Sequence, residues 1–253
     1  MKVFVTGASS GIGAALARHY GRSGAQLGLF ARRGDALAAL ADSLGSGSTA
    51  IYVGDVRDED AVRGAATAFM GRFGVPDIVI ASAGVSVGTL TAHREDNVLF
   101  RTILETNVLG MVYTFQPFLP AMRAAANGRL VGIASVAGFR GLPGAEAYSA
   151  SKAAAISYLE SLRVELSGTG VAVVTICPGY IATPMTAGNP YRMPFLLPVD
   201  KAARRIARAI EHRRRFYVLP WQMAWLGRLF RILPRPLYDR VFASAPRKPR
   251  AQR

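Results

Sequence analysis

The sequence predicts an α/β fold built on a doubly wound parallel sheet of about seven strands. Across the first 218 residues, short β-rich runs alternate with longer helical patterns, as a parallel sheet with crossover helices requires. Runs such as DIVIA are apolar throughout instead of alternating, which is the signature of strands covered on both faces. A glycine-rich turn, TGASSGIG (6–13), stands directly between the first run and the first helical segment.

Strands are expected at KVFVT (2–6), QLGLF (26–30), TAIYV (49–53), DIVIA (77–81), GRLVGIA (128–134), VAVVTIC (171–177) and FYV (216–218). Helical segments fall near 12–23, 34–44, 58–72, 98–125, 147–167 and 199–213. No linker or repeat interrupts them, so residues 1–218 read as one domain and residues 219–253 as a C-terminal extension. In the extension, WQMAWLGRLFRILP is too short and too charged to cross a bilayer, which takes about 20 apolar residues. On a helical wheel Trp221, Trp225, Leu226, Leu229, Phe230 and Leu233 share one face, with Arg228 and Arg231 opposite. The closing PRKPRAQR, polar and rich in proline, reads as disordered.

The net charge of +15 is unevenly placed. Residues 1–200 carry 16 Lys and Arg against 14 Asp and Glu, whereas residues 201–253 carry 15 against 2. The body is thus nearly neutral. In the tail the cations interleave with aliphatic bulk instead of forming a polar stripe, so nucleic acid is not expected as a partner. Two readings of residues 221–240 stand: contact with an anionic membrane surface, or packing on a second subunit or on the body. The chain enters a strand almost at once without a secretory signal pattern, which suggests a cytoplasmic protein, with peripheral attachment to the inner face of a membrane as an addition. A single cysteine, Cys177, excludes an internal disulfide and reads as a small buried apolar residue; no metal site is expected.

The chemistry begins at TGASSGIG. Gly7, Gly11 and Gly13 let the backbone turn tightly and approach a pyrophosphate at a helix N-terminus, with Ser9, Ser10 and Ile12 in the same loop. At the end of the second strand a carboxylate would receive a ribose 2′-hydroxyl and a cation a 2′-phosphate. The run here is LFARRGD, so Arg32 and Arg33 favour NADP(H) over NAD(H), while Asp35 stands too far along to be the expected acid. Further on, AYSASK places Tyr148 and Lys152 four residues apart, on one face of a helix and separated by small side chains. A fixed ammonium beside a phenol favours phenolate. Taken alone, the pair reads more readily as a surface Tyr and Lys on an amphipathic helix.

Together these motifs resemble the short-chain dehydrogenase/reductase family over roughly residues 2–218. Besides TGASSGIG, GDVRD places Asp55 and Val56 where the family contacts adenine. ASAG (81–84) stands where the family more often has NNAG, and it retains Ala83 and Gly84; ETNVLG supplies Asn107, IASVAG supplies Ser135, and CPGYIAT supplies Pro178, Gly179, Ile181 and Thr183. The resemblance implies a Rossmann-type fold, a homodimer or homotetramer, and a catalytic set of Asn107, Ser135, Tyr148 and Lys152. In that set Tyr148 is general acid or base, Lys152 lowers its pKa and holds the nicotinamide ribose, Ser135 bonds the substrate oxygen, and Asn107 anchors a water leading to Lys152. Substrate contacts are expected from Ser135, Tyr148, Phe139 and Met185, with Leu142 adding to the wall. The apolar stretch YIATPMTAGNPYRMPFLLP leaves two readings open: an apolar or lipid-like carbonyl or alcohol substrate, or side chains that pack this segment onto the body. A second function class, a catalytically silent NADP-binding regulator or scaffold, would be favoured by loss of Ser135, Tyr148 or Lys152, and all three are present.

Overall fold

The computed structural model describes residues 1–45 and 48–250. Its elements, in order, are β1 (Lys2–Thr6), α1 (Gly11–Arg22), β2 (Gln26–Ala31), α2 (Gly34–Asp42), β3 (Thr49–Val53), α3 (Glu59–Phe73), β4 (Ile78–Ala81), α4 (Asn97–Leu104), α5 (Gly110–Phe115), α6 (Leu119–Ala124), β5 (Gly128–Ile133) and α7 (Glu146–Glu165). They continue with β6 (Val171–Pro178), β7 (Ile181–Ala182), α8 (Pro184–Ala187), β8 (Leu197–Pro198), α9 (Val199–Glu211), β9 (Phe216–Leu219), α10 (Trp221–Ile232) and α11 (Arg235–Phe242).

Seven strands form one parallel sheet in the order β3-β2-β1-β4-β5-β6-β9, with the strand order reversing at β1. Each expected strand is present, and their apolar runs bury both faces of the sheet. On one side, Val3, Val5, Leu27 and Ile80 pack with Leu16 of α1 and Ile206 and Ile210 of α9. On the other, Phe4, Val79 and Leu130 pack with Phe69 of α3, Phe115 of α5 and Leu159 of α7. Phe4 lies at the centre of an aromatic cluster, 4.8 Å from Phe118 and edge-on to Phe69 at 5.5 Å, a geometry that suits ring quadrupoles. Cys177 is buried and unpaired, as expected, and burial pushes its thiol up to about 12.

Three features depart from the sequence reading. The long helix expected over 98–125 is segmented: α4 ends in a π-helical turn at Glu105–Leu109, and α5 and α6 are separate. The helical segment read over 221–240 is two helices, because Pro234, the first proline of LPRP, removes a backbone donor and breaks the run. Part of the apolar stripe faces the body. Met223, Gly227 and Tyr238 are buried, the Tyr238 and Phe242 rings stack with Phe230 edge-on to both, and Arg140 donates to the carbonyls of Phe230 (2.6 Å) and Leu233 (3.1 Å). Body packing is therefore part of what this segment does, while Trp221, Trp225, Leu229 and Ile232 stay exposed. Among the described residues no helix is long and apolar enough to cross a membrane.

The third departure is the C-terminus. Residues 246–250, expected to be disordered, lie against the body, where Gly88 N–H donates to Pro249 O at 3.0 Å. The remainder of that expectation, residues 251–253, lies outside the described residues.

Candidate active site

A cleft of about 530 Å³ opens along the carboxyl ends of the strands, at the point where the strand order reverses. Parallel strands flanked by oppositely directed crossovers leave their loops splayed there, which is where such sheets take ligands.

The floor of one end is the turn between β1 and α1. Gly7 has φ +69, and a Cβ there would lie 2.6 Å from the Ala83 nitrogen; one at Gly13 would meet Gly7 O at 2.4 Å. Only glycine lets the turn, the helix and the end of β4 approach this closely. The α1 N-cap, Ser10, makes no side-chain capping bond, and the first turn holds no acidic residue, so neither group competes for its N-terminal amides. Such a cradle fits a pyrophosphate.

Of the residues singled out in the sequence, Ser9, Ser10, Gly11, Ile12, Arg32, Arg33, Asp55, Val56, Ala83, Gly84, Pro178, Gly179, Ile181 and Thr183 line the cleft. Gly13 lies beneath the turn as part of the cradle. The Arg33 guanidinium arches over the loop, donating to Ser9 O at 3.1 Å and to Ser9 Oγ at 3.2 Å. Asp55 is held by a two-point contact with Arg57 (3.0 and 2.8 Å), and Arg32 lies 3.9 Å away. Hydrogen bonding from Arg57 keeps the Asp55 carboxyl below its ordinary range.

At the other end of the cleft Ser135, Tyr148 and Lys152 converge. Ser135 follows β5, and the turn after it packs directly on α7: a Cβ on Gly138 would lie 2.6 Å from the Lys152 carbonyl carbon. Lys152 is buried and donates to Ile133 O at 2.9 Å, with its ammonium 5.8 Å from the centre of the Tyr148 ring. Burial drives Lys152 down to about 8 and holds Tyr148 above its ordinary value, hydrogen bonding from Ser135 opposing the latter. The expected lowering of the phenol by Lys152 is not seen: burial raises it, and the opposing hydrogen bond comes from Ser135.

Asn107 sits in the π-helical turn and does not line the cleft. Its Oδ1 accepts from Val85 N–H at 2.8 Å, and its Nδ2 donates to Val85 O at 3.0 Å and to Ser151 Oγ at 3.0 Å. The extra residue of such a turn reorients a side chain that a regular helix would point elsewhere. Here it clips the loop after β4 to α7.

Met185 lines the cleft, but Phe139 and Leu142 do not. The Phe139 ring stacks on Phe216 at 6.1 Å and packs against Gly227 of α10, and Leu142 borders a separate groove with Tyr238. Both belong to the packing of the C-terminal helices. Sequence reasoning missed Val85, Thr106, Pro184 and Thr186 in the lining, and it missed Lys248, whose ammonium lies 5.6 Å from the Tyr148 ring centre. Adjacency to ASAG, ETNVLG and CPGYIAT could have indicated the first four. Nothing local marks Lys248.

The short chain dehydrogenase family pattern matches residues 1–192. A protein of Myxococcus xanthus described as an uncharacterized oxidoreductase is 42% identical over 237 residues, 93% of each chain. The 11-beta-hydroxysteroid dehydrogenase 1A of Arabidopsis thaliana is 38% identical over 190 residues, which is 74% of this chain but 54% of the plant protein. An actinorhodin polyketide ketoreductase solved with NADPH superposes with a TM-score of 0.78 at 27% identity, covering 86% of this chain and 95% of the other. An alcohol dehydrogenase from the archaeon Thermococcus sibiricus, complexed with 5-hydroxy-NADP, gives 0.75 at 26% identity with the same coverage. The chain therefore belongs to the short-chain dehydrogenase family and is an oxidoreductase that acts on CH–OH groups and their carbonyl counterparts.

Proposed function

We propose that this chain is an NADP(H)-dependent reductase of apolar carbonyl compounds in which Tyr148 is the general acid. The observation that carries the reading is the convergence of Ser135, Tyr148 and Lys152 in one cleft that runs on into the glycine cradle. A nicotinamide cofactor held in this cleft would supply the hydride. Tyr148 delivers a proton to the carbonyl oxygen as charge builds there, and the Ser135 hydroxyl donates to the same oxygen. A buried phenol held above its ordinary pKa is protonated at neutral pH, as an acid in the reducing direction must be. Lys152 keeps a cation 5.8 Å from the ring centre and would hold the nicotinamide ribose. Asn107 acts through others, fixing Val85 and Ser151 on either side of the site.

Preference for NADP(H) is supported by Arg33 poised over Ser9 and by Arg32, with the Asp55 charge offset by Arg57. An apolar substrate is supported by Met185, Pro184 and Ile181 along the cleft. The exposed Trp221, Trp225, Leu229 and Ile232, interleaved with Arg228 and Arg231, support reversible contact with an anionic membrane from the cytoplasmic side. Assembly as a homo-oligomer accords with the family.

NADPH absorbance decay against hydrophobic ketones and aldehydes tests the reading. Turnover is expected with NADPH, and kcat/KM with NADH is expected to be lower by about 10- to 100-fold, the worth of a charge-assisted contact. A protein that binds NADPH and oxidises it with no member of the panel would be a silent nucleotide-binding regulator instead.

A further inference from the structure

The C-terminal strap, residues 246–250, packs beside the Tyr148 end of the cleft and is held at three points. Arg250 makes a two-point contact with the buried Asp96 (Nε to Oδ2 2.9 Å, Nη2 to Oδ1 2.9 Å) and reaches Glu95 at 3.0 Å. Pairing with Arg250 keeps both carboxyls below their ordinary range, after a backbone hydrogen bond in the case of Glu95. The backbone lies beside the loop after β4 through Gly88 and Pro249, and Arg247 packs on Gly144 in the loop before α7. The strap thus bridges the two loops that flank Tyr148.

Between those anchors stands Lys248. Its ammonium donates to Ser86 Oγ at 2.6 Å and lies 5.6 Å from the centre of the Tyr148 ring. Its side chain is partly buried, and among the described residues no carboxylate lies within ion-pair distance of it. Burial lowers its pKa, which marks a cation left without a compensating charge. Arg250, two residues along, takes both nearby acids, so the arrangement spends its carboxylates on the anchor and leaves the inner cation open.

We infer that Lys248 is a specificity residue: it selects, among apolar carbonyl compounds, those bearing a carboxylate on the side of the carbonyl away from the nicotinamide. The inference rests on the carbonyl-reducing reading of the cleft. A carboxylate there completes an ion pair at a site already partly dehydrated, where such a contact is stronger than at an open surface. A neutral substrate leaves the ammonium unpaired.

The test is binding of decanoate and of decanamide to the full-length protein loaded with NADPH, read by NADPH fluorescence, which needs no turnover. Decanoate is expected to bind at least about tenfold tighter than decanamide, to lose that advantage in Lys248→Met and to keep it in Lys248→Arg. Arg250→Ala, which frees the strap, is expected to cut the advantage several-fold with NADPH affinity unchanged. Equal affinity for the two probes, or a preference that survives Lys248→Met, overturns the inference. So does an Arg250→Ala protein that binds both probes equally more tightly, since the strap would then be an obstruction. Because the readout is affinity, a failure here is separable from a failure of Tyr148 to act as the acid, which shows only in turnover.

Discussion

Lys152 is buried with one hydrogen bond, to the Ile133 carbonyl, and that environment has a measurable sign. Its folded pKa is near 8, below the ordinary lysine value of 10.5, so between those limits the unfolded chain holds a proton that the folded chain has released. Stability contributed through this residue therefore rises with pH across about 8 to 10.5. Tyr148 acts in the opposite direction only above about 10, where the unfolded phenol ionises and the folded one does not. We expect the melting temperature of the wild type, measured against Lys152→Met, to climb as pH is raised from about 7.5 to 9.5. A difference that stays flat, or falls, would mean that the ammonium is not desolvated. The AYSASK spacing suggested a shared helix face, and α7 provides it. It could not carry the depth of burial, which comes from β5, β6 and the turn after Ser135.

At the scale of elements, the catalytic geometry depends on how closely that turn sits on α7. Gly138 has no side chain to hold the two apart, and Val there would drive a Cβ to 2.6 Å from the Lys152 backbone. Gly138→Val is expected to cost about 1–3 kcal/mol and to lower Tm by roughly 2–10 °C. The same shift parts Ser135 from Tyr148, so kcat falls while NADPH affinity, set at the far end of the cleft, changes little. Unchanged Tm and kcat in that variant would show the contact to be slack. The strands were legible because apolar runs bounded by turn residues have few alternatives, and each one appears. The helix over 98–125 was not, because its interior break is a one-residue register change at Asn107, and composition carries no mark of that. The C-terminal helices misled in a different way. An apolar stripe states that a face is covered without saying by what, and the structure divides it between Phe139, Tyr238 and open solvent.

Over the whole molecule, chemistry is concentrated in a nearly neutral body and charge in the last fifty residues. Motif order alone picked out residues that the fold gathers at the glycine-turn end of the cleft, since they are close in sequence to glycine turns and strand ends. The Tyr148 end is lined by Val85 and Met185 and has Lys248 beside the Tyr148 ring, a neighbourhood created by tertiary folding across more than 150 residues. That is why Phe139 looked like a wall residue and Lys248 like part of a loose tail. The exposed tryptophan face of α10 lies outside both ends. Flotation on anionic vesicles is expected for the wild type and to weaken at least several-fold in Trp221→Ser/Trp225→Ser, with turnover retained. Absence of the wild type from the floating fraction would remove membrane contact from the account.

The central claim is that the Tyr148 hydroxyl protonates the carbonyl oxygen as hydride arrives, and Tyr148→Phe tests it most directly. Removing that oxygen should lower kcat for ketone reduction by about 10²- to 10⁴-fold while NADPH binds with near wild-type affinity. A Tyr148→Phe protein that still reduces the same ketone at the wild-type rate would contradict it.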